Sequence, residues 1–199
     1  MKKEIGTIKD CFDTILQDNK ERSRLAARKV RKLLYNTYTD GREIYKEIAE
    51  TIEKAPMNYV KISENWRQEN FVMAISVIYF LHEKENQPDF LFPWLFQLLQ
   101  HQNGYIRYSA VKMISHEIGP LTYHIRFYKE RLKLNRPSTE QADYILHSLF
   151  INLNMLADSL YEPKYKKYKY IDSLPASPYK SVQMILADLE ESCCEQKYL

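Results

Sequence analysis

Apolar residues recur along this chain at intervals of three and four, and the intervals are punctuated by Pro, Gly, Asn and Asp in a way that predicts helices throughout. Ile5, Ile8, Phe12, Ile15 and Leu16 place a first amphipathic helix over about Glu4 to Asp18. Ala26, Val30 and Leu33 share one face of a second, Lys20 to Tyr38, which the Thr39-Asp40-Gly41 cluster stops. Ile44, Ile48 and Ile52 define a third, Arg42 to Lys54, with Pro56 marking its end. The next, Asn65 to Lys84, carries a nearly continuous apolar run through Ala74-Ile75, Val77-Ile78 and Phe80-Leu81, so it should be buried on most sides.

Pro88 opens a helix over Asp89 to Gln102, in which Pro93 needs either a kink or a place in the first turn. Asn103-Gly104 starts another that ends near Ile118, where Gly119-Pro120 reads as a stop and a new start, and the following helix reaches about Leu134. Ser138, with Gln141 three residues on, has capping-box spacing for a long helix to Leu160, apolar at Ile145, Leu149, Leu153 and Leu156. Residues 161–178 lose the apolar period and read as a loop rich in Lys, Tyr and Pro. Ser177-Pro178 then caps a last helix to about Ser192, packed by Val182, Ile185, Leu186 and Leu189, and residues 193–199 should fray. No segment alternates in the manner of a strand. The expected class is all-α, with about nine helices in a single domain over 1–199.

The stretch Leu91 to Gly119, two apolar helical runs joined at Asn103-Gly104, resembles one HEAT-type helical hairpin, and Arg107 with Ala110 three residues later is similar to the arginine and small-residue positions of that signature. Setting Trp66-Arg67 on Ile106-Arg107 gives a period of 40, near the roughly 40–47 residues of HEAT and armadillo units. The resemblance is specific over about residues 91–119 and elsewhere amounts to an apolar pattern. It implies a right-handed α-α superhelix whose helix pairs must stack to hide their apolar faces. Helices Asn65 to Lys84, Gly104 to Ile118 and Ser138 to Leu160 would line its concave face, with Trp66, Arg67, Arg107 and Tyr108 as candidate contacts to a protein partner. In the family the arginine often pairs with an acidic group in the turn. Here His101-Gln102-Asn103 occupies that place, so either carbonyls of the turn satisfy the guanidinium or Arg107 is released for a partner; the first reading is preferred.

A looser resemblance, carried by Glu69-Asn70-Phe71-Val72-Met73-Ala74-Ile75, is to the HEAT-like DNA alkylpurine glycosylases, in which arginine and an aromatic-plus-aspartate constellation grip a lesion in a basic groove. This chain has Val72 and Met73 where arginine would be wanted, and Asn70, four residues after Trp66, where an aspartate would be. An amide cannot supply the negative charge that a cationic glycosyl transition state requires. The resemblance therefore points to nucleic-acid binding without the catalytic residues.

Charge bears on that alternative. Lys20, Arg24, Arg28 and Arg31 form a basic stripe opposite the apolar face of their helix, and Lys164, Lys166 and Lys167 alternate with tyrosines as in segments that stack bases and follow phosphates. Arg126, Lys129, Arg131, Lys133 and Arg136 add a third cluster. A net charge of only +3 leaves solvated helix faces, and tyrosines packed on neighbouring helices, as the preferred readings.

Other chemistries find little support. The four glycines are scattered, so no loop can cradle a phosphate in the manner of common nucleotide sites. His82-Glu83 and His116-Glu117 each begin like a zinc-protease motif, but Asn86 and Pro120 stand where the second histidine belongs. Cys11, Cys193 and Cys194 lack metal-ligand pairing and form no disulfide framework. No catalytic residue, metal or cofactor is expected. The longest apolar run, Phe71 to Leu81, is about half of the roughly 20 residues needed to span a bilayer, and no leader segment is recognised. A cytoplasmic, non-enzymatic binding module is the expectation. A small-molecule enzyme would instead require an enclosed polar pocket.

Overall fold

A computed structural model describes residues 6–36, 41–81, 91–127, 137–163 and 174–194. Among them there are ten α-helices and no strand: α1 (Ile8–Ile15), α2 (Lys20–Asn36), α3 (Gly41–Glu53), α4 (Ala55–Val60), α5 (Asn65–Ile78), α6 (Phe92–Leu99), α7 (Gly104–Leu121), α8 (Tyr123–Arg126), α9 (Thr139–Leu160) and α10 (Pro178–Cys194), with a 3-10 turn at Tyr79–Leu81 after α5. None of these helices is long and apolar enough to cross a membrane. The chain divides into two compact units, Met1–His82 and Glu83–Leu199.

In the first unit α2 packs chiefly against α1 and α5. The small side chains Ala26 and Ala27 on α2 and Ala74 on α5 are buried and suit a close approach, and Phe12 meets Phe71 edge to face at 5.8 Å. Ile15, Val30, Ile48, Ile52, Ile75 and Ile78 complete the core, each contributing roughly 1.5–3 kcal/mol by leaving water. The side chain of Ile44 lies outside the described residues. In the second unit α7 packs against α6 and α10, and α10 also packs against α9. Trp94, Leu95, Leu98, Ile106, Met113 and Ile114 fill that core together with Ile145, Leu149 and Leu153 of α9 and Val182, Ile185 and Leu189 of α10. Leu156 and Leu186, expected in it, are only half-buried.

Helix ends follow side-chain chemistry. Ser138 accepts from the Gln141 N–H at 3.2 Å and Ser177 from the Lys180 N–H at 3.1 Å, so both expected caps form. Asn103 caps α7 by accepting from the Tyr105 N–H at 2.8 Å, and Pro93 lies in the first turn of α6, where it has no hydrogen bond to break.

Several boundaries differ from the sequence reading; α6, for one, ends at Leu99 instead of Gln102, and α5 gives way to the 3-10 turn after Ile78. The first helix begins at Ile8 instead of Glu4, because Thr7 and Asp10 close a capping box: Thr7 Oγ1 accepts from the Asp10 N–H at 3.0 Å and Asp10 returns the bond to the Thr7 N–H at 3.1 Å. Pro56 does not end a helix in coil; it sits in the first turn of α4, where proline is equally at home. Pro120 does not stop α7, which continues to Leu121. A proline in the last turn forfeits one backbone bond, and the full burial of Ile118 and Leu121 outweighs it. Glycine at 119 helps, since the clash that disfavours helical backbone before proline involves Cβ. Beyond it only Tyr123–Arg126 is helical up to Phe127; the remainder of the helix expected to reach Leu134 lies outside the described residues, as do 164–173 of the Lys/Tyr/Pro loop and 195–199 of the tail. Cys193 and Cys194, expected to fray, belong to α10.

Candidate functional site

Arg107 lies in the second turn of α7, and its side chain turns back under the α6–α7 corner. The residue is buried, and its guanidinium donates to the carbonyls of His101 at 2.7 Å and Gln102 at 2.8 Å through Nη1 and to that of Pro175 at 2.5 Å through Nη2. A delocalised fork can satisfy three carbonyls that no ammonium could reach together. Burial pulls the Arg107 pKa downward, and burial together with the Arg107 charge pulls that of His101 down too. A neutral imidazole is what the corner uses: His101 Nδ1 accepts from the Asn103 N–H at 2.9 Å. The arginine that the sequence offers as a partner contact thus binds the loop before α10 to the corner between α6 and α7.

Arg67 is also committed. From α5 it meets Asp18 at 2.8 Å and Glu64 at 3.1 Å, with its guanidinium carbon 5.1 Å from the centre of the Trp66 ring. It ties the α1–α2 corner to the start of α5, and Trp66 remains half-exposed beside it. Asn70, one turn on, is buried and donates to Ser23 Oγ at 3.0 Å, while Ser23 donates to the Ile15 carbonyl at 3.0 Å. The residue that stands in the aspartate position of the glycosylase resemblance is a packing amide joining α5 to α2.

Tyr108 is different. One residue after Arg107 it points away from the corner and forms the wall of a cleft of about 840 Å³ between α7 and α10. Its α7 wall is Tyr108, Lys112 and His116; its α10 wall is Asp188 and Glu191, with Met184 between. The Lys112 ammonium rests 4.5 Å from the centre of the Tyr108 ring. None of Lys112, Asp188 and Glu191 takes part in an ion pair among the described residues, so one wall presents a cation and the other two carboxylates. His116 and Glu117, adjacent in sequence, diverge: His116 lines the cleft and Glu117 is fully buried. Among the described residues no group of three or more His, Cys, Asp or Glu side chains could hold a metal ion.

Of the cleft residues, only Tyr108 is a candidate from sequence. Lys112 and His116 follow it at four-residue steps on the same helix, a stripe that was legible; the pairing of that stripe with Asp188 and Glu191 joins segments about 80 residues apart, for which no local pattern exists. Lys20, Arg24, Arg28 and Arg31 are all exposed on α2, and Arg24 pairs weakly with Glu21 at 3.7 Å. Lys164, Lys166 and Lys167 lie outside the described residues, as do Lys129, Arg131, Lys133, Arg136 and the His82-Glu83 pair. Arg126 donates to the Gly119 carbonyl at 3.0 Å and stacks on Phe127. In comparisons with family models, with curated proteins and with solved structures, no match to this chain was found.

Proposed function

We propose that the chain is a non-enzymatic binding module, built on HEAT-like helix pairs of which α6–α7 is the most regular, that recognises a segment of a protein partner in the α7–α10 cleft. The observation that carries this reading is the cleft itself. At about 840 Å³ it has room for several side chains of such a segment. Its two walls carry opposite charge with no ion pair of their own, and an aromatic ring lies at the edge. Such a surface suits a peptide bearing an acidic residue for Lys112 and a basic one for Asp188 and Glu191, with an apolar group on Tyr108 and Met184. Trp66 is retained as a separate candidate contact on the first unit; Arg67 and Arg107 act by holding corners. Selection of a random peptide library on the immobilised protein should enrich sequences that carry both charges. Their affinity should fall by roughly tenfold or more in Tyr108→Ala, as expected for an aromatic that anchors a contact. Enriched peptides that bind Tyr108→Ala as well as wild type would reject the site, and failure to enrich any would reject the module.

The exposed cations of α2 favour a second reading, in which the first unit lies along a phosphate backbone. If four phosphates are neutralised by Lys20, Arg24, Arg28 and Arg31, log K for duplex DNA should fall with log salt at a slope of about −3.6. No retention on immobilised DNA or RNA at about 50 mM salt would dispose of it, since the electrostatic term is strongest there.

A further inference from the structure

The long helix α9 buries Ala142, Ile145, Leu149 and Leu153, yet its opposite face is also apolar. Tyr144 is 73% exposed, Phe150 55%, Ile151 43% and Met155 67%. Tyr144, Ile151 and Met155 stand at steps of seven and four and so lie in one line, about 16 Å long at 1.5 Å per residue, with Phe150 on its flank. His147 and Asn154 fill the space between, and both are exposed. A solvated helix face normally carries charge through its middle; this one carries it only at the ends, as Glu140 and Asp143 near the start, the latter 2.8 Å from His124 Nε2, and Asp158 near the finish, all three exposed. There is no lysine or arginine in α9.

We propose that this face is a docking site for a cationic amphipathic helix of a partner protein. It extends the protein-binding reading to a second surface, distinct from the cleft. The charge pattern selects the occupant. A second copy of α9 laid antiparallel about Phe150 and Ile151 would set Asp143 against Asp158, and laid parallel would set Asp143 against itself, so either self-pairing opposes like charges. A helix with apolar residues at i, i+4, i+7 and i+11 and lysine or arginine at both ends covers the stripe and meets carboxylates at each end. Phosphate backbone or an anionic bilayer would be repelled by the same three carboxylates.

Two fluorescent 18-residue helical peptides test this, identical in their leucine face and carrying lysines in one and glutamates in the other at both ends. The lysine peptide should bind and the glutamate peptide should bind at least about tenfold more weakly, because like charges across an interface are strongly selected against. The combined variant Ile151→Ser, Met155→Ser, whose positions are exposed and should leave folding intact, is expected to weaken the lysine peptide by roughly tenfold. Glu140→Gln with Asp158→Asn should weaken it by a few-fold and flatten its salt dependence. Tyr108→Ala should leave it unchanged, which separates this surface from the cleft. Equal binding of the two peptides, no binding of either, or indifference to Ile151→Ser, Met155→Ser overturns the proposal. So does sedimentation showing a dimer that this double variant dissociates.

Discussion

Arg107→Ala is expected to cost about 3 kcal/mol or more of stability, because hydrogen bonds from a charged donor are worth about 1.5–3 kcal/mol each and their loss strands carbonyls. This guanidinium donates three such bonds, to the carbonyls of His101, Gln102 and Pro175, and the last is buried and reaches the loop that leads into α10. The loss should not stay local. The single hydroxyl proton of Ser181, near the start of α10, is shared between the Leu99 carbonyl at 2.8 Å and the Pro178 carbonyl of its own first turn at 2.6 Å, so the start of α10 also meets the end of α6 close to the corner. Arg107→Lys should recover less than half of the deficit, since an ammonium cannot span carbonyls on two segments. Thermal denaturation followed by circular dichroism would show a midpoint lowered by on the order of 10 °C for alanine. A change below about 1 kcal/mol in Arg107→Ala would mean that water replaces the fork, and would return Arg107 to the list of partner contacts.

The second large effect concerns Asn70. Asn70→Asp should destabilise the first unit by about 3–5 kcal/mol at neutral pH, the range for a buried charge left without a partner. The amide nitrogen now donates to Ser23 Oγ, and the single Ser23 proton is given to the Ile15 carbonyl. A carboxylate oxygen in that place would face a hydroxyl with no proton to offer it. Burial would raise the folded-state pKa of the new acid above its unfolded value of about 3.9. When both states are protonated, below pH 4, the substitution costs little. As pH rises past the unfolded pKa the unfolded state loses its proton first, and stability falls until the folded pKa is passed. Urea denaturation at pH 4 and pH 7 should therefore show a deficit that grows with pH, whereas Asn70→Leu should show a smaller one, about 1 kcal/mol, at both. A pH-independent deficit in Asn70→Asp would indicate that the side chain swings out to water. Placing an aspartate at this position would thus damage the fold before it could add any chemistry.

Several boundaries that depend on residues within one turn of each other were legible, although the Thr7–Asp10 box that starts α1 was passed over. Ser138 and Ser177 cap as their spacing predicts, Pro93 takes the first turn, and most of the apolar positions named for α1, α2, α5, α9 and α10 are buried, with Leu33, Val77, Leu156 and Leu186 half-buried and Phe80 exposed among the exceptions. The two turn acceptors of Arg107, the carbonyls of His101 and Gln102, also followed the preferred local reading, whereas the third, from Pro175, lies 68 residues away and did not. Pro56 and Pro120 were misread because proline sacrifices no bond in the first turn of a helix, yet can also be carried in the last turn where burial outweighs the bond it forfeits. Which of these holds depends on burial, here of Ala55 and of Leu121, and burial is a property of neighbours that the local chain does not specify.

For this protein, then, periodicity and capping chemistry establish the all-α class and several helix limits, because those interactions close within about four residues. They also state that Lys112, Asp188 and Glu191 are charged and that Tyr144, Ile151 and Met155 are apolar. Whether such a residue lines a cleft, braces a corner or stands in water follows from the packing of α10 on α7 and α9. That packing brings together segments far apart in sequence, and it depends on the summed burial of many side chains, a quantity carried by no single stretch of the chain.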